Sequence, residues 1–365
     1  MSATRVPSNF FGIGFGLAGL GEAWGFAAGQ GLAPRWVSDA ILALSAVAWL
    51  AGISLYLRYA ATTRGAFGAD LRDNVAGPFA SLAVITPMLL AAVGIAPHAA
   101  TAGRVLVDIF LVLTVLLGGW FTGSWIYGSL NFDRLHPGYF LPTVAGGLVA
   151  SGSAAVVGQR LLAEMLLGLG LICWFILGSM ILARLFFRPA LPTALAPTMA
   201  IEVAPFAVAS VAYFALRPGR TDLFAAALAG YGLLMVLAQL PLLPIYLRLR
   251  FALSTWAFTF SWAAVASTAL LWIGATHPAG HRVYSYLVLG VISLFIGAIA
   301  ARTGLAISRR QLLSATAPSA AAAAAPSPAT GQPGVPPVAT RLSDRNEHMA
   351  KSAFDVDPRT RGRRD

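Results

Sequence analysis

The chain has little charge, a single cysteine and almost no lysine. Charged residues make up 11% of its 365 residues, whereas hydrophobic residues make up 58%. A soluble globular domain carries about 25% charged residues, so this composition excludes a soluble domain of this length. Because Cys173 is the only cysteine, no internal disulfide can form, and the cysteine content does not indicate an oxidising compartment. The apolar runs are too many and too long for a signal peptide followed by a globular core.

The motifs of common enzyme classes are also missing. No histidine lies in the middle of an apolar run, and neither His-Glu-x-x-His nor Gly-x-Ser-x-Gly occurs. His277 and His281 have a metal-ligand spacing, but Pro278 and Gly280 between them favour a loop. The sequence therefore predicts neither an enzyme nor a bound metal or cofactor.

Ten apolar runs are long enough to cross a membrane as helices. Numbered as spans 1 to 10, they cover roughly 9–28, 38–58, 77–96, 104–128, 138–158, 161–184, 198–216, 222–247, 252–275 and 283–307. Short connections predict five antiparallel helical hairpins. The predicted fold class is therefore an all-α polytopic membrane protein, with its transmembrane domain over residues 9–307. Residues 1–8 precede this domain, and an Ala/Pro/Arg-rich segment, 311–365, is predicted to be a disordered tail.

Prolines and small residues divide the spans into two kinds. Pro87, Pro142 and Pro205 lie in the middle of spans 3, 5 and 7, at separations of 55 and 63 residues. Span 1 is rich in glycine instead, including Gly14, and span 9 carries Ala, Ser and Thr; the even spans are mostly Leu, Ile and Val. A broken helix is tolerated in a bilayer only where neighbouring helices or water satisfy the freed backbone groups. The odd spans are therefore predicted to line a pathway across the membrane.

Arginines predict the orientation of the chain. With the N-terminus inside, twelve arginines up to residue 310 fall in cytoplasmic segments and six fall in outer loops. Basic residues are retained on the cytoplasmic side of a membrane. Both termini are therefore predicted to be cytoplasmic, and the net charge of +11 needs no nucleic-acid partner.

Two carboxylates lie inside odd spans, Glu22 in span 1 and Glu202 in span 7. Charge inside a membrane is costly and usually faces a cavity or a partner. Glu202 precedes Pro205 by three residues, and the missing N–H of that proline frees the carbonyl of Ile201. A protonated Glu202 could donate to this carbonyl. Two interpretations stay open for both residues: a proton or selectivity site in the pathway, and a neutral structural group.

An ordered set of motifs is similar to one known family. In chain order, the motifs are Pro7-Ser8-Asn9-Phe10-Phe11-Gly12-Ile13, Val37-Ser38-Asp39, His136-Pro137 with Tyr139-Phe140-Leu141-Pro142, Thr198-Met199 with Ala204-Pro205, Gly230-Tyr231-Gly232 and Trp256-Ala257-Phe258-Thr259-Phe260. Over residues 7–307 they resemble the tellurite-resistance/dicarboxylate transporter family. The resemblance is greatest to the bacterial TehA members, which are related to plant slow-type anion channels.

The resemblance implies a fold, an assembly and a gate. The fold is ten helices with quasi-fivefold symmetry around a central pore, in a homotrimer with one pore per protomer in the bacterial inner membrane. Phe260 is implied as the residue that plugs the pore, and the permeating species as small inorganic or carboxylate anions. Gly14 stands where the TehA members have proline, which leaves the kink angle of span 1 open.

Two functions remain in competition. The first is a channel that passes small anions passively and is gated by Phe260. The second is a proton-coupled transporter of C4-dicarboxylate, sulfite or tellurite that uses Glu202 and Glu22. A receptor or scaffold would leave the broken odd helices without a purpose.

Overall fold

The computed structural model describes residues 7–128 and 130–309. In these ranges the secondary structure is helical and includes no strand, which confirms the all-α fold class. The predicted tail, 311–365, lies outside the described residues, as does most of the predicted N-terminal segment, 1–8.

Nine helices in the described part of the chain are long and apolar enough to cross a membrane. They correspond to spans 1–7, 9 and 10, with bounds Ser8–Gly29, Arg35–Thr62, Gly77–Ile95, Ala100–Tyr127, Pro137–Val156, Arg160–Phe187, Ala196–Leu216, Leu253–Thr276 and His281–Ser308. These bounds lie within a few residues of the predicted ones. The chain is therefore a multi-pass membrane protein.

Span 8 differs from its predicted form. The sequence predicts one helix over 222–247, whereas the structure has a helix at Leu223–Ala238 and a second, short one at Leu243–Leu247. Pro241 lies in the turn between them, and proline lacks the N–H that would continue an α-helix. A helix of 16 residues is about 24 Å long, shorter than a membrane core of about 30 Å. The count of ten spans therefore stays a prediction.

Two short helices lie in the connections. Ala66–Arg72 follows span 2, and Phe132–Arg134 precedes span 5. Gly77 allows the first of them to pack on the start of span 3, because a Cβ at Gly77 would lie 2.8 Å from the carbonyl oxygen of Leu71.

Burial separates the odd spans from the even ones. In their most apolar stretches, spans 1, 3, 5, 7 and 9 are 83, 61, 78, 78 and 56% buried, whereas spans 2, 4, 6 and 10 are 17, 28, 22 and 28% buried. Small residues permit the tight centre: a Cβ at Gly170 of span 6 would lie 2.7 Å from the Leu148 side chain of span 5. The odd spans thus occupy the interior, and the even spans face outward.

The odd spans share an irregular backbone. Each of the five begins with a 3-10 segment: Ser8–Phe11, Gly77–Ser81, Pro137–Tyr139, Ala196–Val203 and Leu253–Trp256. Spans 3 and 5 also contain π-helical turns, at Ala91–Ile95 and Leu141–Ala145. These departures from the α-helix accompany the three central prolines: Pro87 precedes a π-helical turn, Pro142 lies within one, and Pro205 follows the 3-10 segment of span 7.

Candidate functional site

A cavity of about 50 Å³ lies where the five odd spans converge. Each of them contributes to its wall, for example Phe15 from span 1, Leu82 from span 3, Val144 from span 5, Val208 from span 7 and Phe260 from span 9. The volume admits a few water molecules. A space shared by all five odd spans is the arrangement expected of a pathway along their common axis.

The wall of this cavity is almost wholly apolar. Its polar side chains are Asn9, Ser254 and Ser261. Asn9 and Ser254 lie in the 3-10 segments that begin spans 1 and 9, and the Asn9 amide oxygen is buried without a hydrogen-bond partner. Among the described residues no charged side chain belongs to the wall. The cavity therefore offers neutral hydroxyl and amide groups to an ion.

Phe260 is held between two residues of span 1. Its ring stacks on the ring of Phe15, with 3.5 Å between centroids and 16° between planes. Gly19 provides the space on another side, since a Cβ there would lie 2.9 Å from Cδ2 of Phe260. Phe258, two residues earlier, is absent from the wall and packs edge-on against Tyr246 at 4.8 Å. A helix separates residues two apart in this way.

The residues predicted as kinks occupy different places. Pro205 is in the cavity wall, whereas Gly14, Pro87 and Pro142 are not. Gly14 lies in the uninterrupted α-helix Gly12–Gly29 and accepts a hydrogen bond, through its carbonyl, from Ser45 of span 2 at 2.7 Å. These three positions therefore shape and pack the odd spans without forming the cavity surface.

Glu202 lies behind the cavity wall. Its neighbour Ile201 belongs to the wall, but Glu202 does not, although it is only 5% exposed. One carboxyl oxygen, Oε1, is buried without a hydrogen-bond partner. Tyr231 and Tyr246 lie close enough to interact with it electrostatically. Glu202 thus faces the helices of the span 8 region.

A hydrogen-bonded chain joins this region to span 7. The Tyr246 hydroxyl donates to Oε1 of Gln239 at 2.8 Å, and Nε2 of Gln239 lies 3.5 Å from the carbonyl oxygen of Met199. Met199 is three residues before Glu202 in the same 3-10 segment. Tyr246 therefore takes part both in this chain and in the electrostatic interaction with Glu202.

Glu22 is half-buried in span 1 and is also absent from the wall. It lies in the second half of span 1, whereas Glu202 lies in the first half of span 7. Residues in the first half of spans 1, 7 and 9, such as Asn9, Ile201 and Leu253, line the same cavity, so these spans begin at the same end of the molecule. The structure therefore does not bring the two glutamates together.

His136 is a buried cap at the start of span 5. Its Nδ1 accepts a hydrogen bond from the backbone N–H of Gly138 at 3.1 Å, and its ring stacks on Phe79 with 6.1 Å between centroids. Phe79 belongs to the cavity wall. Burial, with the nearby positive charge of Arg184, lowers the pKa of His136 to about 4. The imidazole is therefore neutral at pH 7.

Arg184 of span 6 is a charge that sequence reasoning did not single out. It is 3% exposed, and its Nε and Nη2 donate to the carbonyl oxygen of Asp133 at 3.2 and 3.0 Å. Its Nη1 is buried without a hydrogen-bond partner. Arg188, one turn later, is half-exposed and pairs with the Asp133 carboxylate at 3.4 Å. Its burial could have been inferred from its position in the sequence, because Arg184 lies four residues before Arg188 and therefore one helical turn deeper in the apolar run.

Comparisons with known proteins bear on this arrangement. A family model described as SLAC1, voltage-dependent anion channel, matches residues 5–304. The chain is also similar to a curated protein named tellurite resistance protein TehA homolog, from Haemophilus influenzae. The two are 28% identical over 291 residues, which cover 79% of this chain and 87% of that protein. These matches confirm the family relationship predicted from the ordered motifs.

Proposed function

The chain belongs to the voltage-dependent anion channel family, and from this premise we propose that it passes small inorganic or carboxylate anions passively, through a pathway gated by Phe260. Membership of the family gives membrane anion transport as the general activity. The observation that carries the proposal is the cavity shared by all five odd spans, whose wall includes the stacked rings of Phe260 and Phe15. Such an apolar constriction can gate an ion pathway by excluding water.

Selection of anions is proposed to depend on weak interactions. Conduction requires that an ion bind well enough to enter and loosely enough to leave. Asn9, Ser254 and Ser261 can replace part of the hydration shell of an anion without a charge that would hold it. Arg184 supplies positive potential from behind the wall, near His136.

The remaining architecture is part of the proposal. The helix at Leu223–Ala238, with the turn and short helix that follow it, counts as the tenth span, and the shared 3-10 start of the odd spans supports quasi-fivefold symmetry. The bias of arginines supports cytoplasmic termini in a bacterial inner membrane. The homotrimer implied by the family resemblance is tested by light scattering of the detergent-solubilised protein.

The gate is tested in reconstituted vesicles with Phe260→Ala. Removing the ring should widen the constriction and raise chloride and nitrate conductance on the order of tenfold, because water and ions then enter an apolar passage. Phe258→Ala is the matched control, since Phe258 lies on the same helix outside the wall. An unchanged conductance in Phe260→Ala, or currents that do not follow the anion gradient, would refute the proposed gate.

The second candidate is a proton-coupled transporter of C4-dicarboxylate, sulfite or tellurite that uses Glu202 and Glu22. The buried, unpaired Oε1 of Glu202 beside the wall residue Ile201 favours it, since a carboxylate at such a place is costly unless it has a role or a proton. Flux of each anion against pH in Glu202→Gln and Glu22→Gln separates the two functions. A pH profile identical to that of the unmodified protein would remove the coupled mechanism.

A further inference from the structure

Two histidines meet in the connection between spans 9 and 10, and we call them the histidine pair. His277 directly follows the helix Leu253–Thr276, and His281 is the first residue of the helix His281–Ser308. Their ring centroids lie 5.6 Å apart, with 85° between the ring planes. Neither residue belongs to the wall of the cavity between the odd spans. The proposed function therefore leaves the histidine pair without a role.

The turn that joins the two spans brings these rings together. Pro278 and Gly280 interrupt the helix, as the sequence predicts, but the turn is tight, because the backbone N–H of His281 donates to the carbonyl oxygen of Pro278 at 2.9 Å. The backbone N–H of His277 donates to the carbonyl oxygen of Ile273 in the last turn of span 9, also at 2.9 Å. Hydrogen bonds thus fix the backbone on both sides of the histidine pair.

His277 has an unfavourable backbone conformation. With φ at 44°, it is the one non-glycine residue with a positive φ within residues 7–128 and 130–309. A Cβ makes the left-handed region unfavourable, and residues held in such conformations are concentrated at active sites and ligand-binding sites. This departure from ordinary backbone geometry therefore occurs at a member of the histidine pair.

The distance between the rings fits a metal ion held by both. A histidine nitrogen binds Zn²⁺ at about 2.0–2.1 Å, which puts the ring centroid roughly 3.2 Å from the metal. Two such rings at a tetrahedral angle have centroids about 5.2 Å apart, which is close to the observed 5.6 Å. Binding of one ion by both rings therefore requires little movement of the turn.

Both imidazoles are accessible to a ligand. His277 is exposed and His281 is half-exposed, and neither side chain forms a hydrogen bond or an ion pair with another described residue. Among the described residues no third His, Cys, Asp or Glu completes a metal-binding group with them, so water would fill the other coordination positions. Imidazole ligands suit Zn²⁺, Cu²⁺ and Ni²⁺, whereas Mg²⁺, Ca²⁺ and Mn²⁺ prefer oxygen ligands.

One positive charge lies beside the histidine pair. Arg282 is exposed and follows His281 in the helix, where successive side chains point about 100° apart. Its guanidinium group is thus directed away from the His281 ring, and solvent screens its charge. Arg282 should therefore lower the affinity for a cation without preventing binding.

We propose that His277 and His281 bind one divalent transition-metal ion of the Zn²⁺, Cu²⁺ and Ni²⁺ type. One nitrogen of each imidazole binds the ion, which joins the end of span 9 to the start of span 10. The predicted orientation of the chain places this turn on the outer face of the membrane, so the ion would come from that side. The site does not depend on the anion pathway, and a failure of either proposal leaves the other intact.

The test is titration calorimetry of the full chain, without an affinity tag and in detergent, with Cu²⁺, Ni²⁺, Zn²⁺ and Mg²⁺. Cu²⁺ should bind most tightly, with one ion per chain, and Mg²⁺ should not bind. His277→Asn and His281→Asn should each weaken Cu²⁺ binding at least about tenfold, because a single ligand loses the advantage of two linked ones. Asparagine tolerates the left-handed conformation that His277 adopts, so the first variant keeps the turn.

Two control variants accompany the pair. His98→Asn, at an exposed position in the connection between spans 3 and 4, should leave Cu²⁺ binding unchanged, and Arg282→Gln should strengthen it about twofold by removing a nearby positive charge. Three outcomes would overturn the proposal: equal Cu²⁺ binding by His277→Asn, His281→Asn and the unmodified protein, an equal loss in His98→Asn, and fewer than two nitrogen ligands in the electron paramagnetic resonance spectrum of the Cu²⁺-loaded protein. The last measurement uses the unmodified chain and does not depend on the folding of any variant.

Discussion

The even spans of full length are the more apolar set, yet the odd spans are the ones buried in the protein. The odd spans are 56 to 83% buried and the even spans of full length 17 to 28% buried in their most apolar stretches. In a bilayer, lipid chains are as apolar as leucine, so the hydrophobic effect does not sort the helices and close packing of small residues does. The location of glycine and alanine, more than total hydrophobicity, therefore decides which helices enclose the cavity.

The two kinds of span also differ in backbone. Spans 2, 4, 6 and 10 are unbroken α-helices of 28 residues each, while every odd span begins with a 3-10 segment. In contact with lipid, each backbone group must be bonded within its own helix. Irregular segments are tolerated in the odd spans because the even spans shield them, and this shielding is what makes a shaped cavity possible.

Among substitutions that test the difference between odd and even spans, the largest expected effect is on anion conductance. Phe15→Ala removes the ring that stacks on Phe260 at 3.5 Å, so the gate loses its support and anion conductance should rise on the order of tenfold. Planar-bilayer recording measures the change. Phe175→Ala, at a position that is 81% exposed on span 6, is the control. A similar rise in both variants would mean that the conductance reflects general loosening of the fold.

The second effect is on stability and uses two glycines of span 6. Gly170→Ala places a Cβ 2.7 Å from the Leu148 side chain and 2.9 Å from its backbone nitrogen, which should destabilise the protein by about 1–3 kcal/mol through overpacking. Gly168→Ala meets no atom within 4 Å and should leave stability unchanged or slightly raised. Thermal unfolding in detergent measures both. Equal effects would show that odd–even packing is not the main constraint on span 6.

The third expected effect is on the pH dependence of stability, and it concerns His136 at the start of span 5. Folded His136 has a pKa of about 4, below the value of about 6.5 for an exposed histidine. Between these values the unfolded chain binds a proton and the folded chain does not, so stability falls as the pH drops from about 6.5 towards 4. At pH 5 the loss from this group is about 2 kcal/mol relative to pH 7.5.

His136→Asn should reduce this loss, because asparagine can still accept the hydrogen bond from Gly138 without titrating. Unfolding at a series of pH values measures it. His281→Asn, at the partly exposed start of span 10, should leave the pH dependence in place. An acid dependence that is the same in His136→Asn and the unmodified protein would assign it to other groups.

The smallest expected effect concerns selectivity and compares two arginines one turn apart. Arg184→Gln removes a buried charge that acts on His136, whose ring stacks on the wall residue Phe79. It should lower the anion-to-cation permeability ratio by about two- to fivefold, whereas Arg188→Gln should change the ratio little because solvent screens that exposed charge. Reversal potentials under a salt gradient give the ratio. Arg184→Lys should keep the ratio near that of the unmodified protein; if it instead behaves like Arg184→Gln, the role of Arg184 is packing and not charge.

Most of the architecture could be predicted from the sequence. The lengths of apolar runs and the positions of Pro87, Pro142 and Pro205 are local features, and they gave nine spans within a few residues of their observed bounds. The break in span 8 could also have been found, because Pro241 and Pro244 were visible. The prediction of a single helix over 222–247 follows from the length of the apolar run and does not account for the N–H groups that these prolines lack.

The candidate site was less accessible to sequence reasoning. Phe260 was identified through the family motif, and its stacking on Phe15 across spans 1 and 9 is a contact between residues far apart in the chain. Arg184 is one of the twelve arginines that the predicted orientation assigns to cytoplasmic segments, although it is buried and donates to the carbonyl of Asp133. The sequence pattern predicts where a residue lies along its helix, but it does not predict which residues of other helices contact it.

The sequence by itself determined that alternate apolar helices are broken and that the ordered motifs belong to one family. Only the tertiary structure decided which face of each broken helix meets the cavity. The 3-10 segment Ala196–Val203 turns about 120° per residue, whereas an α-helix turns about 100°. Over eight residues the difference accumulates to roughly 160°, so α-helical periodicity could not predict that Ile201 would line the cavity while Glu202 would lie behind it.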